Sequence, residues 1–203
     1  MAAGGPRSLK PNLYASRRRR LGVLTLLLTA VILYFARQLG YQSYPLHYRD
    51  AVVQRASQYG LDPFLLAAVI QVESRWNPAA TSPRGARGLL QVMPGTGEWA
   101  ARQLGIPDFS ADLLYSPEYS AWVGSWYLSY LLRDFGGDEV LALAAYNGGQ
   151  AHVRQWLADA EWTGERATLE QIPFAETREF IRRVQVARVR YRLLYRPDGT
   201  PRF

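Results

Sequence analysis

At 203 residues, 48% of them apolar, the chain can bury the core of one ordinary globular domain and carry an appendage. Its formal charge of +7 belongs to residues 1–50, which hold eight Lys/Arg against one acid; the remainder holds sixteen of each and offers no basic excess for gripping nucleic acid. The lack of cysteine excludes disulfides, a catalytic thiol and thiolate zinc, and with only two widely separated histidines, His47 and His152, no metal or cofactor is expected.

The first twelve or so residues, with Gly4, Gly5, Pro6 and Pro11, read as a disordered tail. In "ASRRRRLGVLTLLLTAVILYFARQLGYQSY" four arginines precede an uncharged apolar run from Leu21 to Ala36, which Arg37 closes. A helix of that run spans about 24 Å, slightly short of a hydrocarbon core of about 30 Å. Arg20 and Arg37 can snorkel, and Tyr34 and Tyr41 can sit near the interface. A cleaved signal peptide has a run of similar length. Cleavage wants small residues at two positions, and "VILYFARQ" offers Ala36 with Tyr34 two places earlier, so an uncleaved anchor is expected. The expected organisation is a basic cytoplasmic tail over 1–20, a single-pass anchor over 21–41, and a domain over 42–203 on the extracellular or periplasmic side.

Past Gln42 the pattern is helix, loop, helix. "PLHYRDAVVQRASQYG" reads as a helix ending at Gly60. Asp62-Pro63 then starts another, an acceptor for open N–H groups followed by a residue whose missing N–H costs nothing there. It carries Leu66, Val69, Ile70 and Glu73 on one face, and Asn77-Pro78 should already have stopped it. An acid sharing a stripe with core residues near the negative end of a helix has its pKa pushed upward, which suits a general acid. A solvated glutamate on a fraying last turn is the alternative reading of this segment.

"SPEYSAWVGSWYLSYLLRDFGG" opens with Ser116 as cap and stops at Gly136-Gly137, with Tyr119, Trp122, Val123, Trp126, Tyr127, Tyr130 and Leu131 on one face. At this spacing Trp122 and Trp126 read as core more readily than as sugar-stacking platforms; Trp76 and Trp99 are assigned to neither. "DEVLALAAYN" begins at a capping Asp138, and "QAHVRQWLADA" follows a Gly-Gly break. "ETREFIRRVQVARVRYRLLY" places Phe180, Val184, Ala187, Tyr191 and Leu194 on a stripe, with arginines on the other face. With no alternating strand run, the expected class is all-α.

Four segments now stand in order: "ESRWNP" from Glu73, "GARGLLQVMP" from Gly85, "ALAAYNGG" from Ala142 and "IPFAETREFIRRV" from Ile172. Together they resemble the soluble lytic transglycosylase (SLT) domain family, relatives of goose-type lysozyme, over roughly residues 45–190. The resemblance implies a lysozyme-like helical fold and peptidoglycan glycan strands as substrate. It implies Glu73 as acid and then base, cleaving the MurNAc–GlcNAc β-1,4 bond and leaving a 1,6-anhydro sugar. It places Ser74, Gln91, Tyr146 and Asn147 at the substrate. Ser74 would orient Glu73 or touch sugar, Gln91 would supply an amide, Tyr146 would bond near the acid, and Asn147 would contact the N-acetyl group. Glu98, Asp108, Asp112 and Glu118 read as helix-end or loop residues, so no partner carboxylate is as well placed. Glu176 and Arg178 are read either as lining the groove or as a structural ion pair, with the structural role favoured. The family usually has tyrosine where this chain has Phe180, which removes one hydroxyl and leaves the ring. A hydrolytic muramidase and an inactive wall-binding scaffold are the competing functions.

Overall fold

The computed structural model describes the backbone of residues 13–202 and side chains from Arg18 onward, so most of the expected cytoplasmic tail lies outside the described residues. Helices account for the architecture. Among the described residues there is no strand, only isolated bridges such as Thr81 to Arg87 and Arg87 to Val92. The chain divides into two units between Gln42 and Ser43.

The first unit is α1 (Leu13–Ser43). From Arg18 to Ser43 it is long and apolar enough to cross a membrane, with a mean hydropathy of 1.7 in its most apolar stretch. The helix runs past the apolar stretch at both ends, and those 26 residues span about 39 Å. The apolar run stays at Leu21–Ala36, and the helix carries Arg20 and Arg37 on its flanks, where they can snorkel. Leu21, Leu24, Leu28, Ile32 and Phe35 are all exposed, as lipid-facing side chains would be.

The second unit contains α2 (Arg49–Tyr59), α3 (Pro63–Glu73), α4 (Pro94–Leu104), α5 (Pro117–Asp134), α6 (Glu139–Gly148), α7 (Gln150–Ala158) and α8 (Ala175–Leu194), with 3-10 turns over Ala111–Tyr115 and Arg166–Gln171. α3 is its axis. Every residue from Phe64 to Ile70 is buried, so α3 is apolar all round and not on one face as expected from its spacing. Burying Leu65, Leu66 and Ile70 contributes about 1.5–3 kcal/mol each. α8 lies along α3 and buries Phe180, Ile181, Val184, Ala187 and Tyr191; Leu194, expected on this stripe, is only half-buried.

The helix starts follow their caps. Asp62 accepts from the Phe64 N–H at 2.9 Å, and Asp138 accepts from the N–H groups of Val140 and Leu141 at 2.8 and 2.9 Å. Asp62 also accepts from Arg188 and Arg192, both at 2.7 Å, and Arg188 reaches Glu139 at 2.6 Å. This network ties the starts of α3 and α6 to α8. Burial works against the Asp62 charge but is outweighed by these hydrogen bonds, and its carboxyl is held below the ordinary value.

α5 departs from expectation. Its core face is small and aliphatic, with Ala121, Gly124, Leu128 and Leu131 buried, while Trp122 and Trp126 are half-buried on its flanks. Gly124 shows why: a Cβ there would sit 2.6 Å from the Leu90 side chain. Trp122 donates to the Tyr59 hydroxyl at 2.7 Å beneath Arg55, and Trp126 packs against Trp99 at 5.0 Å.

Candidate active site

The structure ends α3 at Glu73, earlier than Asn77-Pro78. Ser74 caps it, and Arg75 and Trp76 turn away with φ of 50° and 66°. Trp76 is buried and donates from its indole to the Tyr191 hydroxyl at 2.8 Å, which pins this turn to α8. Trp76 is therefore core, and the tight turn leaves Glu73 at the rim of a cleft.

The cleft has a volume of about 410 Å³, and its walls include Glu73, Arg84, Gln91, Tyr146, Asn147 and Glu176. Four of the five residues named from sequence are thus brought together. Ser74 is the exception. It is buried, and its hydroxyl donates back to the Ile70 carbonyl at 3.2 Å.

Burial pushes the Glu73 carboxyl up from 4.5 to about 8; the charge of Glu176 adds to the rise and Arg183 opposes it. Glu73 is therefore a neutral acid at pH 7, able to give a proton away. Tyr146 ends α6 beside it and donates its hydroxyl to the Leu90 carbonyl at 2.7 Å. Burial, then the charges of Glu73 and Tyr127, raise the Tyr146 phenol well above its ordinary value, so it stays a donor. Phe180 stacks on the Tyr146 ring, centroids 6.3 Å apart and planes 4° from parallel. The ring at 180 thus supports Tyr146 by packing alone.

Asn147 accepts from the Thr177 hydroxyl at 2.8 Å, so its amide N–H groups remain for a ligand. Gln91, with φ of 46°, spends its amide N–H groups on the carbonyls of Ala80 and Gly88 at 3.1 and 3.0 Å. Its amide oxygen is the group left for the cleft, rather than the donor and acceptor pair expected. Gly88 allows a close approach, but to protein: with φ of 75°, a Cβ there would lie 1.8 Å from the Leu114 carbonyl oxygen.

Of the two readings of Glu176 and Arg178, the favoured ion pair is not formed, and Glu176 takes the groove-lining place instead. Glu176, in the first turn of α8, lines the cleft and lies 3.4 Å from Arg84. Arg178 instead bonds the Ile172 carbonyl and lies 3.9 Å from Glu170. Arg84 had no signal in the sequence, and Thr177 had one only as the neighbour of Glu176. Glu98, Asp112 and Glu118 bond Arg102, Arg87 and Ser116, outside the cleft.

A model of the transglycosylase SLT domain matches residues 50–169, more than half of the chain. The chain belongs to the transglycosylase SLT domain family. Among SLT relatives, the soluble lytic murein transglycosylase of Salmonella typhimurium is 35% identical over 153 residues, covering 74% of this chain and 24% of that protein. The X-ray structure of an inactive glutamate-to-glutamine mutant of the lytic transglycosylase Slt from Pseudomonas aeruginosa is 37% identical, covers 72% of this chain and 24% of that one, and superposes with a TM-score of 0.66. The membrane-bound lytic murein transglycosylase C of Edwardsiella ictaluri is 28% identical over 173 residues, covering 71% and 46%. The SLT fold, lysozyme-like and helical, is therefore shared. The chain spans about a quarter of the length of its soluble relatives. Glu176, Thr177 and Phe180 lie beyond the matched SLT segment, so the second wall of the cleft comes from α8.

Proposed function

We propose that this chain is a membrane-anchored peptidoglycan lytic transglycosylase that uses Glu73 alone as acid and then base. The observation that carries the reading is a neutral carboxyl, with its pKa at about 8, in a cleft whose other walls offer the Asn147 amide and the Gln91 carbonyl. Glu73 gives its proton to the glycosidic oxygen between N-acetylmuramic acid and N-acetylglucosamine as the C1–O bond breaks. Asn147 holds the acetamido group, which stabilises the positive charge growing at C1. The Glu73 carboxylate then takes the proton of the C6 hydroxyl of the same muramic acid. O6 bonds to C1, the 1,6-anhydro ring closes and no water is consumed.

Glu176 is a second carboxylate on the cleft wall, but it lies against Arg84 and its charge serves to keep Glu73 protonated. The relatives named above are transglycosylases, and none supports a hydrolytic muramidase. The inactive glutamate-to-glutamine mutant of the Pseudomonas relative fits chemistry that depends on one glutamate.

For location, α1 is the anchor, residues 1–20 are cytoplasmic and 42–203 face outward, with Arg17 to Arg20 on the inner side. A membrane-bound relative fits this arrangement. The test of the acid is a pH–rate profile on purified peptidoglycan. With Glu73 protonated as the active form, kcat/KM falls about tenfold per pH unit above about 8. Glu73→Gln should still bind glycan and show no turnover. A Glu73→Gln variant that retains turnover refutes the assignment.

A further inference from the structure

The outer face of α8 supplies no reacting group to the chemistry above; Arg183 alone bears on it, through its charge on Glu73. Along it Arg183, Val186, Val189, Arg190 and Leu193 follow one another at steps of three, three, one and three. Val186, Val189 and Leu193 are 55%, 56% and 61% exposed, which makes an apolar strip on a helix that already buries its opposite side. The arginines beside it differ from the other arginines of α8. Arg188 and Arg192 are paired with Asp62, and Arg182 with Glu170. Among the described residues no carboxylate lies within ion-pair distance of Arg183, Arg190 or the nearby Arg75.

Toward Val72 the strip opens into a groove of about 400 Å³ lined by Tyr44, Gln71, Arg75, Arg182, Arg183 and Val186, with Glu179 as its one carboxylate. The groove is thus predominantly cationic, with a methyl-bearing floor.

The groove and the C-terminal half of α8 both adjoin the place where the chain enters the domain. α1 runs to Ser43, and the next two residues are strapped to α8: the Tyr191 hydroxyl donates to the Pro45 carbonyl at 2.9 Å and the Tyr195 hydroxyl to the Tyr44 carbonyl at 3.1 Å. The Tyr44 ring meets Tyr191 edge-on at 5.8 Å. Exposed valine and leucine between arginines, beside a cluster of tyrosines at the point of entry, is the composition of a helix lying in a lipid headgroup layer.

We propose that the outer face of α8 docks on the anionic phospholipid surface of the membrane that holds the anchor. Val186, Val189 and Leu193 enter the interface, Arg190 meets phosphates, and the groove beside Tyr44 takes a headgroup phosphate diester on Arg75 and Arg183. The inference rests on the anchored reading of α1. The apolar strip runs from Val186 to Leu193, C-terminal to Glu176 along α8, which favours lipid over the peptide stem of the glycan substrate. Glu176 and Tyr191 are fifteen residues apart on α8, about 22 Å along its axis. Docking therefore holds the cleft close to the bilayer and directs the enzyme to glycan strands lying near the membrane.

The chain has no cysteine, so Val189→Cys gives full-length protein a single labelling site on the strip, and Gln103→Cys on α4 gives an exposed reference. Each is labelled with an environment-sensitive fluorophore and reconstituted in phosphatidylcholine vesicles with or without phosphatidylglycerol. A trace of lipid carrying a headgroup spin label acts as quencher. Quenching at position 189 should exceed that at 103, rise with phosphatidylglycerol, and fall in salt of about 1 M, where the Debye length is about 3 Å. Arg75→Gln and Arg190→Gln should each lower the docked-to-undocked ratio roughly fivefold. Equal quenching at 189 and 103 in protein that floats with the vesicles overturns docking and leaves the anchor standing. Failure to float overturns the anchor and the docking with it. A position-189 probe indifferent to lipid but shielded by added muropeptide assigns the groove to the peptide stem and overturns the proposal.

Discussion

Replacing Glu73 with glutamine should abolish turnover and at the same time stabilise the fold, with a gain that grows with pH. Glutamine keeps the shape and cannot ionise. In the wild type the carboxyl moves from an ordinary 4.5 to about 8 on folding, so the native state binds this proton more tightly than the unfolded chain does. Stability from this group is greatest below 4.5, declines as pH rises, and levels off above about 8. Relative to a residue that stays neutral, the ionisable side chain costs about 2 kcal/mol at pH 6 and about 4–5 kcal/mol at pH 8.5. For a domain of this size the difference corresponds to a gain in Tm roughly 5–10 °C larger at pH 8.5 than at pH 6. Thermal unfolding of both proteins, full length in the same detergent, reads it directly. A Tm gain that does not change with pH refutes the idea that folding holds Glu73 neutral.

Three further outcomes follow from the packing and hydrogen bonds. Asp62→Ala removes the α3 cap, strands Arg192 and leaves Arg188 with Glu139 alone, costing about 2–3 kcal/mol in denaturant unfolding near neutral pH. Because the folded Asp62 carboxyl lies below its ordinary 3.8, the wild-type advantage is complete above that value and is lost as pH falls through the lower folded pKa. Asn147→Ala should lower kcat/KM about tenfold through one lost ligand hydrogen bond, and should cost about 1–3 kcal/mol in unfolding because the buried Thr177 hydroxyl loses its acceptor. Gly88→Ala drives a Cβ into the Leu114 carbonyl at a positive φ and should cost more than about 3 kcal/mol, seen as loss of soluble folded protein.

Much of the fold was legible because its signals are local. Asp62-Pro63, Ser116-Pro117 and Asp138 announce helix starts through side chains that satisfy backbone N–H groups two or three residues on, and the structure uses all three. The burial of α8 follows its period except at Leu194. What failed was the choice of face. The periodicity of α5 puts its tryptophans and tyrosines together, but a central helix packed on Leu90 and α6 selects for small residues, and the aromatics are displaced to its flanks. Apolar residues around the whole of α3 similarly hid that the helix is the axis of the domain.

The site was readable where chemistry sits on a helix end and unreadable where it depends on long-range contacts. Glu73, Tyr146 and Asn147 close their helices, and proximity to the cleft follows. Thr177 orienting Asn147 across thirty residues, and Arg84 facing Glu176, depend on how α8 meets α6 and the loop after α3. Ser74, adjacent to the acid in sequence, turns back to Ile70 because a C-terminal turn leaves a carbonyl to satisfy.

The measurement that bears most directly on single-glutamate chemistry is the mass of unreduced muropeptides released from peptidoglycan in oxygen-18 water. Products one water lighter than hydrolytic fragments, without oxygen-18 and absent with Glu73→Gln, are the predicted result. Oxygen-18 at the new reducing ends would mean that water, not the C6 hydroxyl, attacks C1, and would contradict the account.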